Sequence, residues 1–328
     1  MECNEYDGIS TMLGNAAFTW EEAGDACSRE EVYRFRYEQY FASREYLPGA
    51  DHAGRRVWLP HDDVSQHFLA RRPDGLVVAV GTATPASEPS LLAEWRIILD
   101  LERLRDILPK TTIVSRTIVA EEERHSGLFG HICLQLASFF LEAGYHYAVH
   151  YCAPGITAMY ERLGYRQYGR GRNLEAGVFR VPMFLVADDM PYFRRIHSPF
   201  RTLGRDMEAN RSWLETAYAI CPELAQDPLC TLTDAAVAAK MRTLCAFLNN
   251  ADAALVRTLR RGSLLRLREG DVLAPEGIDE GMYLLLSGCL SCGGVPLKPG
   301  CVVRTGSEKV QAEEDTLVVC ANLEGVLA

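Results

Sequence analysis

The stretch Val119–Tyr165, VAEEERHSGLFGHICLQLASFFLEAGYHYAVHYCAPGITAMYERLGY, decides the fold. It reads as the end of a strand, a glycine-containing turn, a long helix, a buried strand and a second helix. The turn, Arg124-His125-Ser126-Gly127-Leu128-Phe129-Gly130, opens the long helix. The first N–H groups of a helix lack partners within it, and the macrodipole adds positive character, so the turn is a natural seat for phosphate or pyrophosphate. Leu128, Ile132, Leu136, Phe139 and Phe140 recur at helical spacing and make one face apolar. Gly144 then ends the helix. Tyr147-Ala148-Val149 is a short buried strand, and Ala153-Pro154-Gly155 turns the chain into a helix carrying Met159, Tyr160 and Leu163.

Arg124-x-x-Gly127 at a helix start, then a strand, then Ala158-Met159-Tyr160-Glu161-Arg162-Leu163-Gly164-Tyr165, resembles the GCN5-related N-acetyltransferase (GNAT) superfamily. In that superfamily the first turn holds the pyrophosphate of coenzyme A or the phosphopantetheine of a carrier protein, and the later tyrosine protonates the departing thiolate. The resemblance therefore implies cofactor binding by Arg124, Ser126, Gly127, Leu128, Phe129 and Gly130, and general acid catalysis by Tyr160. Phe129 stands where the family pattern has a small residue, with Gly130 one place later.

A chain of 328 residues suits two domains better than one, and 48% apolar residues suffice for packed cores. Its apolar runs, such as Met282–Leu286, are far too short to cross a bilayer. The start, Met1-Glu2-Cys3-Asn4-Glu5, lacks the basic-then-apolar pattern of a signal peptide, so a cytoplasmic protein is expected. A formal charge of −10 argues against a general nucleic-acid binder, which needs a basic face. Two local clusters (Arg166, Arg170, Arg172; Arg194, Arg195, Arg201, Arg205) suit an acidic carrier protein or a phosphorylated cofactor, and equally an ordinary solvated surface. The odd count of 11 cysteines argues for reduced thiols rather than a disulfide framework. Cys289-x-x-Cys292, with Cys301 and Cys320 beyond, has a metal-like spacing, but strand geometry sends Cys289 and Cys292 to opposite faces and no histidine lies near. No metal is expected.

Ahead of the deciding stretch, Ala17–Trp20 is a candidate first strand. Ser28-Arg29-Glu30-Glu31 reads as a capping box that starts a helix carrying Val32, Phe35, Tyr37 and Tyr40. Gln66–Ala70 and Leu76–Val80 form a hairpin about Pro73-Asp74-Gly75. Leu91, Leu92, Trp95, Ile98, Leu99, Leu101 and Leu104 predict an amphipathic helix over 90–108, capped by Ser90 and stopped by Pro109. Thr111–Val119 is the strand entering the glycine turn. Arg166–Arg172 and Val178–Val186 read as an antiparallel pair, with Met190–Ile196 as a closing helix.

Val32 through Tyr40, then Asp62-Asp63-x-x-x-His67-Phe68-Leu69-Ala70, then Asp74-Gly75-x-Val77-Val78, is similar to acyl-homoserine-lactone synthases and their relatives, the N-acyl amino acid synthases. Those enzymes build the acetyltransferase fold around an acyl channel and usually draw acyl groups from acyl carrier protein. Ser115-Arg116 echoes a Ser-Arg on one of their strands. Ile113 replaces a glutamate of the lactone synthases, and Thr82-Ala83-Thr84 replaces an arginine that follows Gly81. Both residues help handle S-adenosylmethionine, so the N-acyl amino acid branch fits better.

From His197 the texture changes. Arg201–Ile220 and Thr231–Leu259 predict helices, and the chain ends in β-rich sequence. Gly262–Gly277, Gly281–Gly288, Leu297-x-Pro299-Gly300 and Val310–Val319 resemble a cyclic-nucleotide-binding domain, a small β jelly roll. The phosphate-binding cassette of that family is missing: Arg304-Thr305 is a faint echo, without the glutamate that would hold a ribose hydroxyl. The module reads as degenerate, serving packing or homodimer contacts.

The expected fold class is α+β. An acyltransferase domain at 1–200 has a mixed, mainly antiparallel sheet flanked by helices, a helical linker follows at 201–261, and a degenerate jelly roll occupies 262–328. The expected function is N-acyl transfer, of a fatty acyl group by the walls the first helix and the 90–108 segment would supply. The donor is acyl-CoA or acyl-phosphopantetheine on a carrier protein, and the acceptor is a small amine such as an amino acid. His150, at the end of the buried strand where substrate enters in this superfamily, is a candidate base; a structural imidazole is the plainer alternative. Arg36, Arg116 and Glu94 are candidates for holding the acceptor's carboxylate and ammonium. A plain acetyl-CoA acetyltransferase and a non-catalytic acyl-ligand sensor are the alternatives.

Overall fold

The computed structural model describes residues 18–43, 49–124, 126–174, 179–187, 189–203, 211–225, 262–274, 281–304, 306 and 308–321. His125, Val178, Thr305 and the helix expected at Thr231–Leu259 lie outside them. In chain order the elements begin with β1 (Thr19–Glu22), α1 (Ala26–Ser43), the short pair β2 (Ala50–Asp51) and β3 (Arg56–Val57), β4 (Gln66–Arg71) and β5 (Val77–Pro85). Next come α2 (Ala93–Ile98), β6 (Thr111–Val119), α3 (Leu128–Glu142), β7 (Tyr147–Cys152), α4 (Thr157–Leu163), β8 (Arg166–Gln167), β9 (Arg172–Asn173) and β10 (Phe179–Val186). Then follow α5 (Met190–Arg195), α6 (Arg211–Ile220), β11 (Ser263–Leu267), β12 (Val272–Ala274), β13 (Met282–Ser287) and β14 (Leu290–Cys292). The last four strands are β15 (Val295–Leu297), β16 (Val302–Arg304), β17 (Val310–Ala312) and β18 (Thr316–Ala321). The class is mixed α+β.

Two compact units emerge: 1–92 with 101–150 and 186–213, and 93–100 with 151–185 and 214–328. In the first, the strands run β1-β4-β5-β6-β7, antiparallel except for the parallel pair β6 and β7. The glycine turn and α3 make the crossover that a parallel pair requires. α3 buries Leu128, Ile132, Cys133, Leu136, Ala137 and Phe140 on the sheet. Its close approach depends on Gly81, where an added Cβ would sit 2.8 Å from the Leu136 side chain. Thr82, the next residue along β5, faces the other way and bonds Arg36 of α1, so the two helices cover opposite faces. Gly144, at φ 78, ends α3, with the Tyr145 N–H donating to Phe140 O at 2.8 Å.

The hairpin about Pro73-Asp74-Gly75 forms as expected. Two expectations are corrected. α1 begins at Ala26, and its N–H groups at Cys27 and Ser28 donate to Asp25 Oδ1 at 2.8 and 2.9 Å. A carboxylate three residues earlier thus does the capping assigned to Ser28, whose hydroxyl lies inside the helix and donates to Asp25 O. The single helix over 90–108 is instead α2, only Ala93–Ile98, with a separate 3₁₀ segment at Arg105–Lys110 that includes Pro109. Asp100, at φ 44, breaks the helical path, and Ser90 donates to Glu88 rather than capping. Leu91, Trp95, Ile98, Leu99, Leu101 and Leu104 are nonetheless all buried. Within 201–220, Arg201 belongs to a 3₁₀ turn at Pro199–Thr202 and the helix is Arg211–Ile220.

In the second unit, β8 and β9 each pair antiparallel with β10. The described residues of 262–321 form two four-stranded antiparallel sheets, β11-β18-β13-β16 and β12-β17-β14-β15, around Leu265, Leu284, Leu286, Leu290, Val310 and Val318. Among the described residues no helix is long and apolar enough to cross a membrane, and no group of three His, Cys, Asp or Glu side chains is placed to hold a metal ion.

Candidate active site

β6 does not run straight. Val80 pairs with Ile118 and Thr82 with Ser115, so Gly81 faces both Arg116 and Thr117: a β-bulge. Arg116 sits in it at φ 50, a conformation that costs a non-glycine residue free energy and must be held by its surroundings. Its guanidinium supplies the hold, donating to both Asp62 oxygens at 3.3 and 3.2 Å.

Asp62 is the centre of a buried polar cluster. It lies on a 3₁₀ turn, Pro60–Val64, that the Leu59 N–H locks by donating to Oδ2 at 2.8 Å. Arg36, wholly buried on α1, donates to Asp62 Oδ1 at 3.0 Å, to Thr82 Oγ1, and meets His67 Nδ1 at 3.1 Å. His67 Nε2 donates to Asp62 O at 3.1 Å, which leaves Nδ1 as the acceptor from Arg36. Burial disfavours the ionised Asp62, but Arg36 and Arg116 outweigh it and hold the carboxyl at about 2. Burial first, then the Arg36 charge, lowers His67 to about 3, while burial and Arg116 lower His61 to about 4. Two guanidinium groups thus converge on one carboxylate, with neutral imidazoles beside them.

Arg36 and Arg116, named from the sequence, are brought together here, while Asp62, His67 and Thr82, which organise them, were not named as site residues. The hairpin register carries a signal for two of these: His67 pairs with Thr82, and both are polar at fully buried strand positions. Glu94 lies on α2 of the other unit.

β6 leads onward to the glycine turn. Gly127 precedes α3 at φ 81 and ψ −4, a left-handed conformation suited to glycine. Ser126 Oγ donates to Glu123 O at 2.7 Å and accepts from the Leu128 N–H at 3.3 Å. Trp20 stacks on His131 at 5.5 Å and steadies the first turns of the helix. Space is open at Gly130, where an added Cβ would meet nothing within 4 Å. Leu128 is buried, whereas Arg124 is exposed and Phe129 half-buried.

His150 ends the part of β7 in this unit at 4% exposure, and burial lowers it to about 3. A neutral imidazole with so low a pKa is a weak base. Tyr160 lies in the second unit, on α4, 8% exposed, its ring edge-on to Tyr165 at 5.7 Å.

Three buried neutral histidines fix an acid response. Folded His61, His67 and His150 take up protons near pH 4, 3 and 3, against 6.5 in the open chain. Between those values the unfolded state binds more protons, so stability is full above pH 6.5 and falls as pH is lowered. The slope is ~1.4 kcal/mol per pH unit per histidine, ~4 for all three. Asp62 adds its own loss only as pH falls from about 4 towards 2. Urea unfolding should therefore show a much lower midpoint at pH 5 than at pH 7.5; equal midpoints contradict the buried neutral imidazoles.

No family model and no curated protein matches the chain. Among solved structures it is similar to FeeM, an N-acyl amino acid synthase from uncultured soil microbes, at 11% identity and a TM-score of 0.45, over 57% of this chain and 97% of that one. It is also similar to BjaI, a CoA-dependent acyl-homoserine lactone synthase, at 16% identity and 0.43, over 56% and 90%. A third is the acyl-homoserine lactone synthase LasI, at 15% and 0.42, over 52% and 91%. Likenesses this distant carry no argument about activity, and they reach about half of the chain.

Proposed function

We propose that the chain is an N-acyltransferase that moves an acyl group, of fatty length, from a CoA or acyl-carrier-protein thioester to the amine of a small acceptor such as an amino acid. The observation that carries the reading is β6–turn–α3, with Gly127 in a left-handed conformation at the helix start and open space at Gly130. Helix-start amides in such a turn suit the phosphates of a CoA or phosphopantetheine donor, with Arg124, Ser126, Leu128 and Phe129 lining it. Arg36 and Arg116 stand as candidates for the acceptor's carboxylate by resemblance alone: both guanidiniums already donate to Asp62, and Arg36 is wholly buried. Glu94 is kept as a candidate for the ammonium.

In the reaction the acceptor nitrogen attacks the thioester carbon, the C–S bond breaks, and the amide forms. Tyr160, by its resemblance to the superfamily tyrosine, gives its phenolic proton to the leaving thiolate. The amine proton passes to water or to His150, whose low basicity favours water. The C-terminal module is read as a degenerate jelly roll. Its first strand pairs with its eighth, second with seventh, third with sixth and fourth with fifth, the pattern of one long hairpin rolled into two sheets. The domain limits 1–200, 201–261 and 262–328, a carrier-protein partner, a homodimer and a cytoplasmic location belong to the same proposal.

Gly127→Val tests the donor seat. A β-branched residue is strained at φ 81 and crowds the amides, so affinity for decanoyl-CoA by calorimetry should fall at least about tenfold. The melting temperature should fall by only a few degrees. Unchanged affinity contradicts the assignment.

A further inference from the structure

We propose that the C-terminal module, residues 262–321, orients Tyr160, with Glu161 and Ser263 as positioning residues; this rests on reading Tyr160 as the proton donor. α4 has only seven residues, too few to hold one orientation by its own hydrogen bonds. Glu161, next to Tyr160, is 2% exposed, and a buried carboxylate requires partners for its oxygens. Gln167 Nε2 of β8 donates to Oε1 at 2.8 Å. Ser263 Oγ, on the first strand of the module, donates to Oε2 at 2.6 Å. Gln167 Nε2 also donates to Leu264 O at 3.1 Å, so β11 grips helix and strand at adjacent residues.

The same module holds the entry to α4. Cys320 Sγ donates to Pro154 O at 3.0 Å, and a Cβ added at Gly281 would lie 3.2 Å from Gly155 Cα. The short helix is therefore fixed at its start and at its middle by groups more than a hundred residues later in the chain. A second tie serves only the module: Asn173 Nδ2 donates to Val272 O at 2.7 Å and Asn173 Oδ1 accepts from Val272 N at 3.1 Å. It provides a control, because it touches β9 and not α4.

The test uses the full chain, with thiol release from decanoyl-CoA in the presence of mixed amino acids, and hydrogen exchange of the α4 amides. Ser263→Ala should lower kcat about tenfold and move the donor KM less than about twofold, since misorientation acts on the chemical step. Ser263→Thr should restore kcat, and Asn173→Ala should lower the melting temperature with kcat unchanged. In a Tyr160→Phe background, Ser263→Ala should add nothing, because the group it orients is gone. Exchange within 157–163 should quicken in Ser263→Ala and not in Asn173→Ala. Additive losses, an unimpaired Ser263→Ala beside a slow Tyr160→Phe, or unchanged exchange overturns the positioning role alone. Wild-type kcat in Tyr160→Phe overturns the proton-donor reading, and the positioning role with it.

Discussion

Asp62→Asn is expected to cost about 3–5 kcal/mol of unfolding free energy, the usual loss when a buried ion pair is broken from one side. The amide keeps the shape of the carboxylate but not its charge. Arg36 is wholly buried and the Arg116 side chain is 6% exposed, so water cannot solvate the charges left behind. The Leu59 N–H and the 3₁₀ turn would lose their charged acceptor too. Arg36→Met added to Asp62→Asn should recover part of the loss, because it removes one of the stranded cations. Urea unfolding at pH 7.5 is the measurement. A cost under about 1 kcal/mol would show that Asp62 does not hold the cluster together.

Tyr160→Phe is expected to slow turnover by ~10²- to 10⁴-fold, the range that a positioned general acid contributes. The phenyl ring keeps the edge-on contact with Tyr165, so the melting temperature should stay close to that of wild type. A thiol that leaves unaided as thiolate would not need the proton. Wild-type turnover in the variant therefore removes Tyr160 from the chemistry and makes water the proton source.

The parts of the fold that could be read from sequence are those where one signal is local and strong. α3 shows a clean helical period between two glycines, and the β4–β5 hairpin has Pro73-Asp74-Gly75 at its turn. Where two local signals compete, the sequence misleads. Ser28-x-x-Glu31 has the form of a capping box, yet Asp25 captures the first amides. The 90–108 segment keeps its apolar period because its side chains are buried, while the backbone turns at Asp100. The Asp62 cluster was half legible. Arg36, Asp62, His67 and Arg116 all stand in family-like motifs, but that the carboxylate joins the two arginines depends on α1, a 3₁₀ turn, the hairpin and the β6 bulge meeting at one point. No spacing along the chain encodes that convergence. The bond from Ser263 to Glu161 is equally invisible: each residue stands in a family-like stretch, but nothing in either stretch joins the two.

Amide formation tests the central claim most directly. The purified chain is incubated with decanoyl-CoA, or with a decanoyl carrier protein, and an equimolar mixture of amino acids, and the products are read by mass spectrometry. The account predicts N-decanoyl amino acids from at least one donor, formed with stoichiometric thiol release and reduced to background in Tyr160→Phe. Thiol release without any amide, or no acyl transfer from either donor to any amine, would contradict it.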